Sequence, residues 1–341
     1  MLAPDVPPLR YLSAADVTAA MPPLAERLRL AERTMTALVA DAELPSKIGV
    51  HPRPAGSFAH AMPAHLRAPD ETGADEPGAH DLVGLKWIAG FPTNGAHGLA
   101  AIHGLVILND ARTGIPTAIL DAGPITAERT AAISGVAIAR FAPEVRDRPA
   151  RVAMLGAGVQ ARSHLPVLGH LLPGLELILF DRHTDRATAL AEEAASVAGI
   201  GRAAVASCAP DATRTADVVL TLASFAPAGE RQSLVADWLA RDVLVVAVDY
   251  ATYVSAAVAR GAALFIVDQR EQFLANRDAG QFDGYPDPGS TLGEAILTGE
   301  PRPVHGQVLV THLGVGLADL VFGETILRRA AAEGRGTILA R

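Results

Sequence analysis

Cysteine occurs once in the 341 residues, at Cys208, so no intrachain disulfide can form and a disulfide-stapled scaffold is excluded. That residue falls in or just after a strand of the second half and reads as structural; its solitude fits a reducing, cytoplasmic setting. Long apolar runs are missing too. None reaches the roughly 18 residues of a spanning helix, and the first residues, MLAPDVPPLR, lack the basic start and apolar stretch of a secretory signal, so no membrane association is expected. Basic charge is short: 29 Lys and Arg face 37 Asp and Glu, giving a formal charge of −8. That leaves no cationic surplus for a nucleic-acid face and points to small-molecule partners. A G-x-S-x-G nucleophile turn is absent, and His60 and His65 stand five apart with no Cys or acidic residue at ligand spacing, so neither a serine hydrolase nor a metal centre is expected.

Lysine is the scarcest charged residue. Only Lys47 and Lys86 interrupt 27 arginines. A chain this biased keeps lysine either as surface leftovers or where a compact, titratable ammonium is required.

The length and the 50% hydrophobic content suit two domains, each with its own core. Leu24, Leu28, Met35 and Leu38 predict an amphipathic helix from about Pro22 to Ala42. From Lys47 to Asp121 the pattern becomes short apolar runs with turns (KIGV, SFAHAM, GLKWIAGF, IHGLVILND, IPTAILD), the last two a hairpin around ARTG. PDETGADEPGAHD, 69–81, reads as an exposed insertion. A helix with Thr126 as N-cap then leads to alternating strands and helices from Arg151 onward, the pattern of a parallel sheet, and the chain ends in a helix, GLADLVFGETILRRAAAEG. The expected fold is α/β: a Rossmann-type doubly wound parallel sheet over 129–315, plus an α+β substrate-binding and dimerisation domain over 1–128 completed by the helix 316–341. The apolar strands of the first domain have too few helices to cover both faces, which argues for a homodimer.

After the strand RVAML comes Gly156-Ala157-Gly158-Val159-Gln160-Ala161, a G-x-G-x-x-A turn opening a helix. Gly156 allows the tight turn, Gly158 lets backbone approach a pyrophosphate, and Val159 and Gln160 begin the helix whose free N–H groups meet it. Asp181 ends the next strand, 25 residues after Gly156, at the spacing of a carboxylate that takes ribose hydroxyls. Asp181 favours NAD; Arg182 beside it could accommodate the phosphate of NADP.

These segments, with HAMPA at 60–64, GLKWIAGFPTN at 84–94, LNDARTGIPTAILD at 108–121, ITAERTAA at 125–132, VAVDY at 246–250 and LGVGLAD at 313–319, resemble the ornithine cyclodeaminase and mu-crystallin family over nearly the whole chain. The resemblance implies a homodimeric enzyme that moves hydride between NAD(P) and the α-carbon of a small amino acid or cyclic imine. It makes Lys86 the residue that holds the substrate carboxylate and Asp249, at the carboxyl edge of the parallel sheet, the catalytic proton acceptor. Arg129 matches an arginine that reaches the cofactor phosphates. Independently, Arg129 in the first turn after Thr126 would oppose the helix dipole by ~0.3–1 kcal/mol, so it needs an anion, either a ligand or a salt bridge to Glu128 or Asp121. His60 and Pro63 are placed in the substrate pocket. Two positions depart from the family: Lys47 stands where ornithine cyclodeaminases have a carboxylate-gripping arginine, and Ala101 replaces a threonine that contacts nucleotide. Three activities follow as expectations: cyclodeamination of an ornithine-like substrate to proline and ammonia, net reduction or oxidation as an imine reductase or amino-acid dehydrogenase, or a non-catalytic ligand-binding protein of the mu-crystallin kind.

Overall fold

The computed structural model describes residues 6–68 and 81–341; apart from Asp81, the expected insertion lies outside the described residues. The chain forms two compact units, residues 1–129 with 315–341, and residues 130–314. In chain order the first contains β1 (Leu9–Leu12), α1 (Ala14–Ala19), α2 (Leu24–Ala40), β2 (Ala42–Glu43), β3 (Ile48–Val50), β4 (Phe58–Leu66), β5 (Leu82–Gly90), β6 (Ile102–Asn109), β7 (Pro116–Asp121) and the start of α3 (Ala122–Phe141). The second contains the rest of α3, then β8 (Arg151–Leu155), α4 (Val159–Leu171), β9 (Leu175–Phe180), α5 (Thr184–Ala194), β10 (Ile200–Val205), α6 (Ala209–Thr213), β11 (Val218–Thr221), β12 (Leu244–Ala247), α7 (Ala256–Gly261), β13 (Leu264–Val267), α8 (Arg270–Asp278), β14 (Ser290–Thr291), α9 (Leu292–Thr298) and β15 (Val308–Thr311). The chain returns to the first unit with α10 (Gly316–Ala332) and β16 (Thr337–Leu339).

The sheet of the first unit runs β16-β1-β7-β6-β5-β4-β2, with β3 also on β4; β1 and β7 are parallel and the other pairs antiparallel. Register decides which side chains meet. Met62 lies opposite Lys86, Lys86 opposite Val106, and Gly49 opposite His60. Since side chains alternate along a strand, Gly49, His60, Met62, Lys86 and Val106 share one face, and Lys47 precedes β3 at the same parity. Helix α10 covers that face. It can do so because its first residue, Gly316, has no Cβ: one there would come within 2.6 Å of the Met62 carbonyl oxygen. The opposite face carries Ile48, Val50, Trp87 and Leu105, exposed by 67, 59, 43 and 36%.

Helix α3 corrects a sequence expectation. It begins at Ala122, four residues before Thr126, whose hydroxyl donates within the helix to the Ala122 carbonyl at 2.6 Å. Asp121 serves the helix start instead, its Oδ1 accepting from the Gly123 N–H at 2.8 Å. Arg129 is therefore two turns inside α3, and neither proposed salt bridge forms: Glu128 pairs with Arg27.

The second sheet is parallel throughout, in the order β10-β9-β8-β11-β12-β15-β13-β14. The strands β11, β12, β13 and β15 are buried along their whole length, as expected of strands covered on both faces. The strand order reverses between β8 and β11, and ligands of such sheets bind at that point, beyond the strands' carboxyl ends. Both the glycine turn after β8 and Asp249 after β12 lie at these ends. Among the described residues no helix is long and apolar enough to cross a membrane.

Candidate active site

The glycine turn has the geometry its letters imply. Gly156 takes φ +112°, and a Cβ there would stand 2.6 Å from the Leu222 carbonyl oxygen, so no other residue fits. At Gly158 the situation is reversed: a Cβ would meet nothing within 4 Å. The protein does not itself require glycine at 158, whereas a closely approaching ligand would. Gly158 is the N-cap of α4 and offers no side chain to the first N–H groups, Val159 is 65% exposed, and the buried Oε1 of Gln160 has no hydrogen-bond partner. An anion would satisfy these free N–H donors. Asp181 follows β9 and accepts from the Ala157 N–H through Oδ2 and from the His183 N–H through Oδ1, both at 2.8 Å; Arg182 is exposed beside it. The carboxylate thus braces the turn as well as lying at the ribose-binding position.

A buried chain that sequence reasoning missed supports the same helix. His164 Nδ1 is 2.6 Å from the Gln160 carbonyl, which can only accept, so Nδ1 carries the proton. Burial pushes the His164 pKa down to about 4, so its Nε2 accepts, here from the Ser134 hydroxyl at 2.8 Å. Ser134 in turn accepts from His312 Nε2 at 2.9 Å. His312 follows β15, a strand absent from the sequence reading, and this left the chain of contacts invisible there.

Asp249, two residues beyond β12, is 1% exposed. Its Oδ1 accepts from the Thr221 hydroxyl at 2.9 Å, while Oδ2 is buried without a hydrogen-bond partner. Burial pushes its pKa up to about 6, against the hydrogen bond from Thr221 and the pull of the nearby Ala223 and Tyr253 amides. The turn that follows is strained: Tyr250 and Ala251 have φ of +52° and +59°, a region that costs non-glycine residues roughly 1–3 kcal/mol each and is tolerated where the surroundings over-determine it. The Tyr250 hydroxyl donates to the Leu313 carbonyl at 2.9 Å and its ring packs edge-on against Phe225. Asp249 does not cap the next helix; Ser255 does.

In the first unit, Lys86 projects from β5 into the face beneath α10. Its Nζ donates to Asp319 Oδ1 at 3.0 Å, and the same oxygen accepts from Arg129 Nε at 3.2 Å. Lys86 is 1%, Arg129 5% and Asp319 0% exposed. Two cations thus share one carboxylate out of water, leaving one positive charge uncompensated by these three. Burial, and then the nearby Arg129 and Lys47 charges, pull the Lys86 pKa down to about 8, against the pull of Asp319. His60 lies on the same sheet face, its pKa lowered to about 4 by burial and then by Lys47 and His51. Pro63 does not join them: opposite Leu85, it belongs to the other face of the sheet. It sits between the β4 residues paired with β3 and those paired with β2, where no partner strand is short of its missing N–H. Ala101 is exposed at the edge of β6. Asp319 was missed as a site residue because an acid in the first turn of a helix reads as an ordinary complement to the dipole. Among the described residues no group of three or more His, Cys, Asp or Glu could hold a metal ion.

The sequence profile described as the ornithine cyclodeaminase/mu-crystallin family matches residues 16–300. The chain belongs to that family. It is 33% identical to the nodulation efficiency protein NfeD of Rhizobium meliloti over 98% of this chain and 99% of that protein. Among solved structures, the Δ(1)-pyrroline-2-carboxylate reductase of Thermococcus litoralis, in complex with NADH and L-proline, superposes with a TM-score of 0.80 at 22% identity, covering 96% of this chain and 99% of the other. An archaeal alanine dehydrogenase dimer with bound NAD gives 0.79 at 22% identity, covering 97 and 99%. The resemblance to this family and the Rossmann-type fold read from the sequence are thereby borne out.

Proposed function

We propose that this family member is a nicotinamide-dependent enzyme acting at the α-carbon of a small amino acid or its imine. The observation that carries the reading is the buried trio of Lys86, Arg129 and Asp319, whose surplus positive charge calls for an anion such as a substrate carboxylate. The parallel sheet supplies the second requirement. Gly156, Gly158, Val159, Gln160 and Asp181 fit a dinucleotide, with an open cradle at Gly158 and uncapped N–H groups on α4. Bound there, NAD or NADP would give or take hydride at the α-carbon. Lys86 holds the carboxylate as a compact point charge. Asp249, poised near pH 6 with a bare Oδ2, takes the proton released by the attacking amine or water. The proposal includes a cytoplasmic setting, on the lone Cys208.

Two outcomes of this chemistry differ in redox balance. In cyclodeamination the cofactor is restored within the cycle and ammonia leaves; in the reductase or dehydrogenase reaction the cofactor is consumed. The sheet face around Lys86 favours the second. Lys86, Arg129 and Lys47 bring three cations to this face, and two of them already share Asp319, so a side-chain ammonium such as that of ornithine meets net repulsion there. A panel of amino acids and cyclic imines, with absorbance at the reduced nicotinamide band and ammonia release recorded together, separates them. Ammonia without net cofactor change identifies cyclodeamination; stoichiometric cofactor change identifies the reductase or dehydrogenase. A panel with neither signal, for a protein that still binds dinucleotide, would leave the ligand-binding reading standing.

Asp181 sets the nucleotide preference in this reading. NAD is expected to bind more tightly than NADP, and Asp181→Ala to shrink the ratio by about tenfold, or ~1.4 kcal/mol. Because Asp181 also braces the Ala157 and His183 amides, both affinities fall in the variant, so the ratio from paired titrations is the measurement. Tenfold tighter NADP binding by the wild type would transfer the role to Arg182.

The exposed apolar face of Ile48, Val50, Trp87 and Leu105 supports a homodimer through the first unit. Light scattering at micromolar concentration is expected to give twice the 35.4 kDa chain mass, and Trp87→Glu to move it toward the monomer. A monomeric wild type would remove this part of the proposal.

A further inference from the structure

Asp319 has no role in anything described above except to accept two hydrogen bonds, yet its arrangement is peculiar. Both cations use Oδ1, whereas Oδ2, fully buried, has no hydrogen-bond partner. A carboxylate kept only to satisfy donors would be expected to use both oxygens, since an orphaned buried one carries a desolvation cost. What this carboxylate supplies is charge. The groups that face Lys86 are Asp319 from α10, Arg129 from α3, Lys47 ahead of β3 and the half-buried His60 from β4; the residue opposite on β6 is Val106. Asp319 is the one anion among them.

We propose that Asp319 is a positioning residue that keeps the Lys86 ammonium protonated and directed, so that Lys86 can hold the carboxylate of the substrate. The inference rests on the assignment of Lys86 made under the proposed function. Its physical core is an asymmetry between the two cations. A guanidinium does not give up its proton in a protein, whereas an ammonium does so readily when buried. If the negative charge of Asp319 is removed, Arg129 stays charged and the whole deficit falls on Lys86, which becomes a neutral amine at a pH where it was an ammonium. Asparagine keeps the shape and an accepting oxygen, so Asp319→Asn isolates the charge from the hydrogen-bond geometry.

The chain's lack of lysine makes the test direct. Protein labelled with 13C-lysine gives Cε–Hε correlations from only Lys47 and Lys86, assigned with Lys47→Arg. In the wild type the Lys86 signal is expected to titrate near pH 8, and in Asp319→Asn at least about one pH unit lower, with Asp319→Glu restoring most of the shift. A Lys86 midpoint in Asp319→Asn that is unchanged or higher overturns the proposal. If the Asn variant does not fold, Asp319→Glu and Arg129→Gln decide instead: Glu must keep the midpoint within about half a unit of wild type, and Arg129→Gln, which leaves the carboxylate to Lys86 alone, must raise it. Failure of either overturns the proposal. Kinetics test the underlying assignment separately. With Lys86 mostly neutral at pH 7.5 in Asp319→Asn, substrate KM there is expected to rise at least about threefold and to recover at pH 6, with kcat changing less. A midpoint that falls while KM does not follow pH would sustain the role of Asp319 toward Lys86 and refute the assignment of Lys86 to the substrate.

Discussion

Asp249→Asn is expected to lower kcat by at least about a hundredfold at pH 8 while raising the melting temperature at that pH. The two effects have one origin. Asp249 is buried, and burial raises its pKa to about 6. The folded protein holds this proton more tightly than the unfolded chain, so the group favours folding below the usual carboxylate range, and that contribution is lost as pH rises through about 6. At pH 8 the carboxylate is ionised in a site that opposes ionisation, at a cost of about 3 kcal/mol. Asparagine keeps an oxygen to accept from Thr221 and carries no charge, so it removes the cost and the base together. A gain of a few degrees at pH 8 that fades as pH falls from about 6 to below about 4, with activity lost throughout, is the expected pattern. In the wild type kcat/KM should fall as pH drops through about 6, as the base takes up its proton. Near-wild-type kcat for Asp249→Asn would show that the proton goes elsewhere. A melting temperature lowered at pH 8 would show that the carboxylate is held by interactions stronger than its burial penalty.

The parts of the molecule legible in the sequence were those whose chemistry is local. A glycine with positive φ in contact with a neighbouring strand, as at Gly156, admits one residue type, and the alternation of short apolar strands with helices from Arg151 onward fixes a parallel sheet. What escaped was set at a distance. Strand β15 is four residues long, VLVT, and its place between β12 and β13 depends on two partners far away in sequence. Strands β1 and β16 pair residues over 300 apart, and the proline-rich approach to β1 reads as coil. The start of α3 misled for a different reason. Ala122-Gly123-Pro124 looks like a turn after a strand, but proline is tolerated in a first helical turn, where no N–H is needed, and Asp121 supplies the cap. Placing the cap at Thr126 put Arg129 at the wrong depth in the helix. The inference that Arg129 needs an anion nevertheless has an answer in Asp319, 190 residues away. Lysine scarcity, by contrast, located one end of that cluster with no structural input, because it concerns which residue type a position cannot exchange.

Lys86→Arg is expected to reduce kcat/KM by about a hundredfold, the loss that a displacement of ~1 Å at a reacting centre can cause. Arginine keeps the charge but brings a wider planar head into a position that is 1% exposed, already shares Asp319 Oδ1 with Arg129 and lies beneath α10. The substrate carboxylate would be held farther out and its α-carbon misplaced. The pH profile distinguishes this from general damage. Burial lowers the Lys86 pKa to about 8, so the wild type should lose substrate affinity as pH rises through 8 and the ammonium becomes neutral. A guanidinium stays charged there, so whatever activity Lys86→Arg retains should lack that alkaline limb. Lys47→Arg is the companion. It restores the residue that the family resemblance places in ornithine cyclodeaminases and should preserve activity, improving it on ornithine if the substrate is ornithine-like. Steady-state kinetics of both variants across pH 6–10, with dinucleotide affinity measured separately, make the comparison. Wild-type kcat/KM in Lys86→Arg would mean that a compact ammonium is not required at this position. Loss of activity in Lys47→Arg, with Lys86 titrating normally, would mean that Lys47 is matched in shape to a substrate other than ornithine.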